Sequence, residues 1–218
     1  MSNTEVQEIT ARTRAFVREQ VLPLDDEYDG DIDRAGGDET RVRIQAAARE
    51  AGVFAPHAPT TYGGLGLGML DRAPVFEEAG YSLFGPLALN IAAPDEGNVH
   101  LLDHIATGAQ REEYLAPLAR GEKRSAFART EPAPGAGSDP SALATTATKV
   151  DGGWRIDGRK WFITGADGAH FFIIMARTGE SATMFLSPAD ADGLQVVRHL
   201  RSLDTSMIGG HCEVTFTN

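Results

Sequence analysis

The sequence of 218 residues is poor in cysteine, in basic side chains and in long apolar runs. One cysteine, Cys212, excludes an internal disulfide. The alternation in HCEVTF places Cys212 on the apolar side of a strand, together with Val214 and Phe216. Because a buried thiol has little thiolate character, we interpret Cys212 as a core residue rather than a nucleophile.

The scarcity of basic residues bears on the partners of the protein. Lysine and arginine number 20 against 31 aspartates and glutamates, which gives a formal net charge of −11. Nucleic acid is not an expected partner, since there is no basic stripe to displace phosphate counterions. No run of 18 apolar residues is present, and the N-terminus MSNTEVQEIT does not resemble a signal peptide. We expect a cytoplasmic protein that does not enter a membrane.

The hydrophobic pattern changes its period near Gly121. Before it, apolar residues recur at three and four positions, which predicts helices from Thr4 onward and over 40–51, 70–79, 86–92, 96–106 and 109–118. After it, β-branched and aromatic segments separated by DG or GG predict strands near 124–128, 143–150, 153–157, 159–164, 170–177, 182–187, 194–199 and 211–217. The predicted fold class is α+β multidomain, with an all-α helical bundle over 1–122 and a small β-barrel or sandwich over 123–218.

Three motifs suggest ligand sites that their sequence context does not favour. YGGLGLG at 62–68 looks like a dinucleotide loop, but it follows PHAPTT instead of a strand, so a turn between helices is favoured. His100 and His104 have a zinc-binding spacing without the glutamate of HExxH. The acidic run at 25–33 lacks the closing glutamate of a calcium loop. No metal site is predicted.

Two stretches of the second half have the chemistry of a cofactor site. FARTEPAPGAGSDP at 127–140 is a strand that ends at a hydroxyl, Thr130, and opens a glycine-rich loop, which suits the polar edge and pyrophosphate of a flavin. In KWFITG at 160–165, alternation places Phe162 and Thr164 on one face, where a ring and a hydroxyl suit a planar cofactor. The alternatives are a turn-rich loop without a ligand and an aromatic residue that packs in the core.

In this order, FARTEPAPGAGSDP, GRKWFITGADGAHFFIIMART and the earlier YGGLGLG resemble the acyl-CoA dehydrogenase family over essentially the whole chain. NIAAPDEGNVHLL and GGHCEVTF are similar to a subgroup that acts on long or branched acyl-CoAs and is fused in animals to a phosphotransferase-like domain. The resemblance implies FAD as cofactor and oxidation of an acyl-CoA to the trans-2-enoyl-CoA. It also implies an electron-transfer flavoprotein as acceptor, and a homodimer or homotetramer at full length.

The resemblance further implies roles for individual residues. Thr130 would donate to the pyrimidine edge of the flavin, and Gly137 and Ser138 would lie at the pyrophosphate and the pantetheine arm. Substrate contacts would come from Ser138 and from Glu131, whose role is structural or exerted through its backbone N–H. The full set of cofactor contacts would be Phe127, Ala128, Arg129, Thr130, Gly137, Ser138, Phe162, Ile163 and Thr164.

Two departures from the family pattern affect these roles. Ala133 and Pro134 are inserted relative to the commonest loop spacing, so the residues from Gly135 to Ser138 can be displaced. Phe127 and Phe162 replace the tyrosine and tryptophan of some members, which keeps stacking but removes a hydrogen bond.

No residue of this sequence is expected to be the catalytic base. In the family the base belongs to a third, helical domain, and no carboxylate here matches its motif. Since the sequence stops at Asn218, we expect the N-terminal and middle domains of a dehydrogenase without the C-terminal helical bundle. Two alternatives stay open: a noncatalytic or partner-dependent subunit of a heteromeric dehydrogenase, and a flavin oxidase or monooxygenase on the same scaffold.

Overall fold

The computed structural model describes residues 2–135 and 137–217. These residues form two compact units, one comprising Met1–Lys123 with Asp204–Ile208 and the other Arg124–Leu203 with Gly209–Asn218. Helices fill the first unit and a seven-stranded sheet fills the second. The predicted α+β fold class is therefore confirmed. Within the described ranges, no helix is both long and apolar enough to cross a membrane.

The helical unit begins with a capped amphipathic helix. Ser2 and Glu5 form a reciprocal capping box at the start of α1, which buries Val6, Ile9 and Phe16. The helices are α1 Asn3–Phe16, α2 Leu22–Glu27, α3 Asp38–Glu50, α4 Met69–Ala79, α5 Gly85–Ala88, α6 Asp95–Ile105, α7 Gly108–Gln110 and α8 Ala116–Ala119. The segments Val17–Val21 and Arg111–Leu115 are π-helical.

The helical path continues past Pro23. A π-helical turn joins α1 to α2, and Pro23 occupies the first turn of α2, directly after the π-helical segment. The predicted helix over 109–118 is likewise divided by the π-helical segment Arg111–Leu115. Proline is again in the first turn of the helix that follows, at Pro117 in α8. Both prolines thus lie where a π-helical segment gives way to an α-helix.

The sheet unit combines parallel and antiparallel pairs. Its strands are β1 Ser125–Ala128, β2 Thr146–Val150, β3 Gly153–Thr164, β4 Phe171–Thr178, β5 Ser181–Pro188, β6 Leu194–Leu200 and β7 His211–Phe216. The order is β1-β4-β2-β3-β7-β6, with β5 paired to β4. β1 is parallel to β4, whereas β3 is antiparallel to both β2 and β7.

The core of the sheet unit is apolar and contains the cysteine. Cys212 is fully buried, and its thiol donates to the carbonyl of Gly209. Burial raises the pKa of this thiol, so the core interpretation of Cys212 is confirmed. The other buried members of the core cluster are Ala126, Ala128, Ile163, Ala166, Ala169, Phe172, Ile174, Val214 and Phe216.

The predicted break at Gly158, between the strands expected over 153–157 and 159–164, is wrong. β3 runs unbroken from Gly153 to Thr164, and at this point it changes partner, since Asp157 pairs with Thr146 of β2 and Gly158 with Phe216 of β7. A Cβ at residue 158 would lie 2.3 Å from Oγ1 of Thr145. Glycine is required here for the close approach of Thr145, and the strand continues through it.

The contact between Gly158 and Thr145 gives a stability prediction. Gly158→Ala should lower the free energy of unfolding by about 1–3 kcal/mol, because its methyl group overlaps the Thr145 side chain. Gly153→Ala, in the same strand but with no neighbouring atom within 4 Å of the added Cβ, is the matched control. Urea unfolding followed by tryptophan fluorescence measures both, since Trp154 and Trp161 lie in the sheet unit. Equal midpoints for the two variants would contradict the close-approach explanation.

Candidate functional site

The two stretches predicted to form a site lie side by side in the sheet unit. After β1, residues 129–131 run beside β3 and are held by two consecutive residues of that strand. Nζ of Lys160 donates to the carbonyl of Arg129 at 2.9 Å, and the N–H of Trp161 donates to the carbonyl of Thr130 at 3.0 Å. The structure therefore brings Thr130 and the segment 160–164 together.

A buried ion pair lies at the centre of this arrangement. Nζ of Lys160 and Oε1 of Glu131 are 2.9 Å apart, and their side chains are 0% and 2% exposed. The carboxylate also accepts from the N–H groups of Ala144 at 2.6 Å and Thr145 at 2.9 Å. Such a pair tolerates its desolvation only when further hydrogen bonds satisfy it, as these do.

The pKa values of the pair follow from burial and mutual attraction. Burial lowers the pKa of Lys160, and the charge of Glu131 acts against that shift. For Glu131, burial alone would raise the pKa. The Lys160 ammonium and the N–H donors of Ala144 and Thr145 outweigh burial and hold the pKa of Glu131 below its usual value. Glu131 is therefore an ionised structural anchor at neutral pH.

The loop after Glu131 closes back on itself. The N–H of Glu131 donates to the carbonyl of Gly137 at 2.9 Å, and a Cβ at Gly135 would lie 2.4 Å from Oε2 of Glu131. Ser138 is exposed, and its carbonyl accepts from Nη2 of Arg129 at 2.6 Å. Since the carboxylate and the N–H of Glu131 both bond within the chain, the geometry favours its structural role. Substrate contact by Ser138 or Glu131 stays a prediction.

A β-bulge aims the aromatic residue of the second stretch. Lys160 pairs with Val214 and Ile163 with Cys212, so β3 has one residue more than β7 between these pairs. Phe162 takes up the extra length with φ of 51°, which is rare for a bulky residue. Lys160 and Ile163 both face inward as a result, whereas Phe162 is 50% exposed. Regular alternation would have put Lys160 on the side of Phe162.

The side chains of the predicted cofactor residues divide into two groups. Ala128 and Ile163 belong to the core cluster, so any cofactor contact from these two residues is limited to the backbone. Phe162 lies against Trp161 with ring centroids 5.1 Å apart, and Oγ1 of Thr164 is 3.0 Å from Nδ1 of His211. Outside the core are Phe127, Arg129, Thr130, Gly137, Ser138, Phe162 and Thr164.

Thr130 and Arg129 present donors that the chain leaves unused. Neither the N–H nor the hydroxyl of Thr130 bonds to any residue that the structure describes. Nε of Arg129 is buried and has no partner there either. A buried donor without a partner, as at Nε of Arg129, is rare in folded proteins and marks a position where a ligand can complete the hydrogen bonding, whereas the partly exposed donors of Thr130 are open to water or to a ligand. The donor set suits an acceptor-rich group such as the pyrimidine edge of a flavin.

The motifs of the helical unit have structural explanations. YGGLGLG begins at the last residue of the short 3₁₀ turn Thr60–Tyr62 and leads into α4, so it is the predicted turn between helices. Nδ1 of His104 lies 2.9 Å from the carbonyl of His100. No group of three potential metal ligands occurs among the described residues. In the acidic run, Asp25 accepts from the Ser82 hydroxyl and the Leu83 N–H.

Comparison with known proteins places both units in one family. The profile "Acyl-CoA dehydrogenase, N-terminal domain" matches residues 3–122, and the profile "Acyl-CoA dehydrogenase, middle domain" matches residues 126–218. The chain belongs to the acyl-CoA dehydrogenase family. The resemblance inferred from the motifs is confirmed.

Individual relatives agree with the family profiles. "Probable acyl-CoA dehydrogenase FadE2" of Mycobacterium tuberculosis is 36% identical over 96% of this chain and 54% of its own length. "Acyl-CoA dehydrogenase family member 11" of Mus musculus is 28% identical over 97% of this chain and 29% of its own length. This acyl-CoA dehydrogenase chain thus spans about half, or less, of the curated relatives that it matches.

Solved structures share the fold. A structure from Mycobacterium abscessus assigned to the acyl-CoA dehydrogenases is 32% identical, with a TM-score of 0.86 over all of this chain and 58% of its own. A glutaryl-CoA dehydrogenase of Mycobacterium smegmatis, in complex with FADH2, is 21% identical with a TM-score of 0.79, covering 100% of this chain and 53% of that one. At 21% identity, the likeness to the glutaryl-CoA dehydrogenase shows a shared fold and nothing about the substrate.

Sequence reasoning missed Lys160 and His211 as members of the site. A lysine that points into an apolar core needs a buried acid as its partner. Glu131, in the neighbouring motif, was the residue that could have indicated such an ion pair. His211 could be found only through the β3–β7 register, which pairs it with Thr164.

The lowered pKa of Glu131 gives a pH prediction. In the unfolded chain the Glu131 carboxyl has a pKa near 4.3, which is higher than its pKa in the folded protein. The unfolded state therefore takes up the proton first as the pH falls. The stability that the Glu131 carboxylate contributes is lost below about pH 5. Glu131→Gln should destabilise the sheet unit by about 3 kcal/mol at pH 7, because Lys160 stays buried without a countercharge. The difference in the free energy of unfolding between wild type and Glu131→Gln should become smaller towards pH 3.5.

Urea unfolding with tryptophan fluorescence, repeated from pH 3.5 to 7, measures this difference. Glu180→Gln, on the exposed turn between β4 and β5, is the matched control and should change stability by less than about 0.5 kcal/mol. A difference that stays constant over the whole range would show that Glu131 does not stabilise the fold as a carboxylate.

Proposed function

We propose that this chain forms the flavin-binding wall of an FAD-dependent acyl-CoA dehydrogenase. The reaction is the α,β-dehydrogenation of an acyl-CoA thioester to the trans-2-enoyl-CoA. The observation that carries the proposal is the pair of unused donors on Thr130, held beside the outward-facing Phe162 and Thr164 by the contacts between 129–131 and β3. The family and its oxidoreductase relatives support the reaction class.

The donor set and the ring fit a flavin. The N–H and hydroxyl of Thr130 can donate to the pyrimidine edge, Phe162 offers an exposed aromatic face, and the Thr164 hydroxyl is oriented by His211. Two solved proteins of the same fold, from Mycobacterium smegmatis and Bacillus anthracis, hold FADH2 and FAD. FAD, when bound, supplies the acceptor for the β-hydrogen as hydride.

The residues of this wall act by binding and orienting. Negative charge increases at the pyrimidine edge when the flavin is reduced, so donors on Thr130 stabilise the reduced form more than the oxidised form. Phe162 covers ring surface and excludes water from it. The left-handed backbone of Phe162 fixes the direction of its ring in advance.

Proton abstraction is assigned to a group outside residues 1–218. Glu131 is the acid nearest the proposed flavin edge, and it is ion-paired with Lys160, buried and held by two N–H donors. A carboxylate with a lowered pKa and no accessible oxygen is a poor general base. We assign Glu131 to the architecture of the site.

We also propose an electron-transfer flavoprotein as the acceptor. A matching chain of the same fold, 24% identical with a TM-score of 0.80, comes from work on the electron transferring flavoprotein of Acidaminococcus fermentans. That likeness concerns the fold, and the acceptor class rests on membership of the acyl-CoA dehydrogenase family.

The proposal is tested on the purified full-length protein. We expect tightly bound FAD, bleaching of its visible absorption by an acyl-CoA without oxygen, and release of the 2-enoyl-CoA. Hydrogen peroxide formed in proportion to product in air would favour the flavin oxidase alternative. A protein that binds no flavin under any loading condition would contradict the proposal.

Thr130 provides a site-specific prediction. Thr130→Val should weaken the binding of reduced FAD about tenfold more than that of oxidised FAD, because it removes a hydrogen bond worth about 1.4 kcal/mol to the more negative form. Flavin fluorescence and absorption titrations under oxidising and reducing conditions give the two dissociation constants. The matched control is Thr148→Val, on an exposed position of β2. Equal effects on both redox forms would contradict the assigned donor role.

A further inference from the structure

Two adjacent residues of β3 determine how the segment after β1 is turned. The carbonyl of Arg129 faces Nζ of Lys160, and the carbonyl of Thr130 faces the N–H of Trp161. A trans peptide is planar, with its C=O and N–H on opposite sides. The contact with Lys160 therefore directs the N–H of Thr130 away from the ammonium. The unused N–H of Thr130 owes its direction to Lys160, and the Thr130 side chain is carried on the same anchored backbone.

The Lys160 ammonium has little freedom to move. Its side chain is fully buried, and Glu131 and the Arg129 carbonyl hold it at 2.9 Å each. Glu131 is in turn fixed by the N–H groups of Ala144 and Thr145, which precede β2. The segment after β1, the segment before β2 and the middle of β3 are thus joined through one ion pair.

The β-bulge makes this inward position of Lys160 compatible with an outward Phe162. Without the extra residue, positions 160 and 162 would share a face of β3. The bulge lets Lys160 enter the interior while Phe162, two residues later, stays half exposed. The bulge therefore determines the positions of both Lys160, which holds the Thr130 segment, and the exposed ring of Phe162 beside it.

We propose that Lys160, held in place by Glu131, is a positioning residue for the flavin. It fixes the Arg129–Thr130 peptide so that the N–H and hydroxyl of Thr130 remain aimed at the pyrimidine edge. This inference rests on the proposed function. It adds that discrimination between reduced and oxidised FAD depends on a buried ion pair that touches neither substrate nor cofactor. A purely structural pair would affect both redox forms alike.

The test uses a double variant that leaves no buried charge unpaired. Lys160→Met with Glu131→Gln replaces the pair by neutral groups of similar size, and such replacements are commonly tolerated. Lys149→Met, on an exposed position of β2, is the matched lysine control. Tryptophan fluorescence during thermal unfolding verifies that the sheet unit of each variant is folded. Should the double variant fail to fold, Lys160→Arg, which keeps a positive charge beside Glu131 but moves its donors, serves and should give a smaller effect in the same direction.

Dissociation constants of oxidised and reduced FAD, measured on the full-length protein, are the readout. We expect the double variant to lose about tenfold of the preference for reduced FAD, equivalent to a fall of about 30 mV in the two-electron potential. Lys149→Met should match wild type. In a Thr130→Val background the double substitution should change the preference by only about threefold, because sites that act through one another are not additive.

The measured FAD affinities distinguish failure of the proposed function from failure of the positioning role of Lys160. Suppose that wild type binds FAD and that the folded double variant keeps the full preference for reduced FAD. Lys160 then does not position Thr130. The same conclusion follows if the effect of the double substitution adds fully to the effect of Thr130→Val. If wild type binds no FAD, the proposed function fails and the inference fails with it. A lost preference that is not additive with Thr130→Val supports the positioning role.

Discussion

The sheet unit depends on the ion pair between Lys160 and Glu131. Both side chains are withdrawn from water, so their attraction acts in a low dielectric and their geometry has to be good. Removing either partner would leave a buried charge, at a cost several times that of losing an exposed pair. The pair joins three strands at the place where the proposed flavin edge lies. Stability and the direction of the Thr130 donors thus share one origin.

A second charged cluster in the same unit shows why the first one is special. Glu213 is buried and pairs with Arg159 and Arg198, but these side chains are 56% and 60% exposed. Their guanidinium groups are hydrated and screened, so this cluster holds its geometry loosely. At Lys160 the positive partner is desolvated as well. Unlike the arginines around Glu213, the Lys160 ammonium therefore has one position to occupy, which is what the direction of a peptide group requires.

Much of this organisation follows from the sequence. The change from a period of 3.6 to a period of 2 locates the helical and sheet units, and DGG at 151–153 marks the β2–β3 turn. The motifs around Thr130 and Phe162 identify the family. These features are local, and local patterns determine them.

The features that the sequence did not reveal arise from contacts between distant residues. Gly158 looks like a turn residue in the sequence. Glycine is required there because the Thr145 side chain, 13 residues earlier, approaches it closely. The bulge at Phe162 depends on the register with β7, some 50 residues later, and regular alternation would have placed Lys160 on the face of Phe162. Glu131 could be placed near the site by its motif, but its burial with Lys160 needs the folded sheet. The residue types at the candidate site are local features of the sequence, whereas the positions of their side chains depend on the folded sheet.

A crystal structure of the full-length protein with FAD would test the account most directly. The account predicts that the N–H or hydroxyl of Thr130 lies at hydrogen-bonding distance, about 3 Å, from the pyrimidine edge, with the Lys160–Glu131 pair intact behind it. A flavin bound elsewhere, or Thr130 donors bonded to protein atoms while the flavin edge faces another residue, would contradict it.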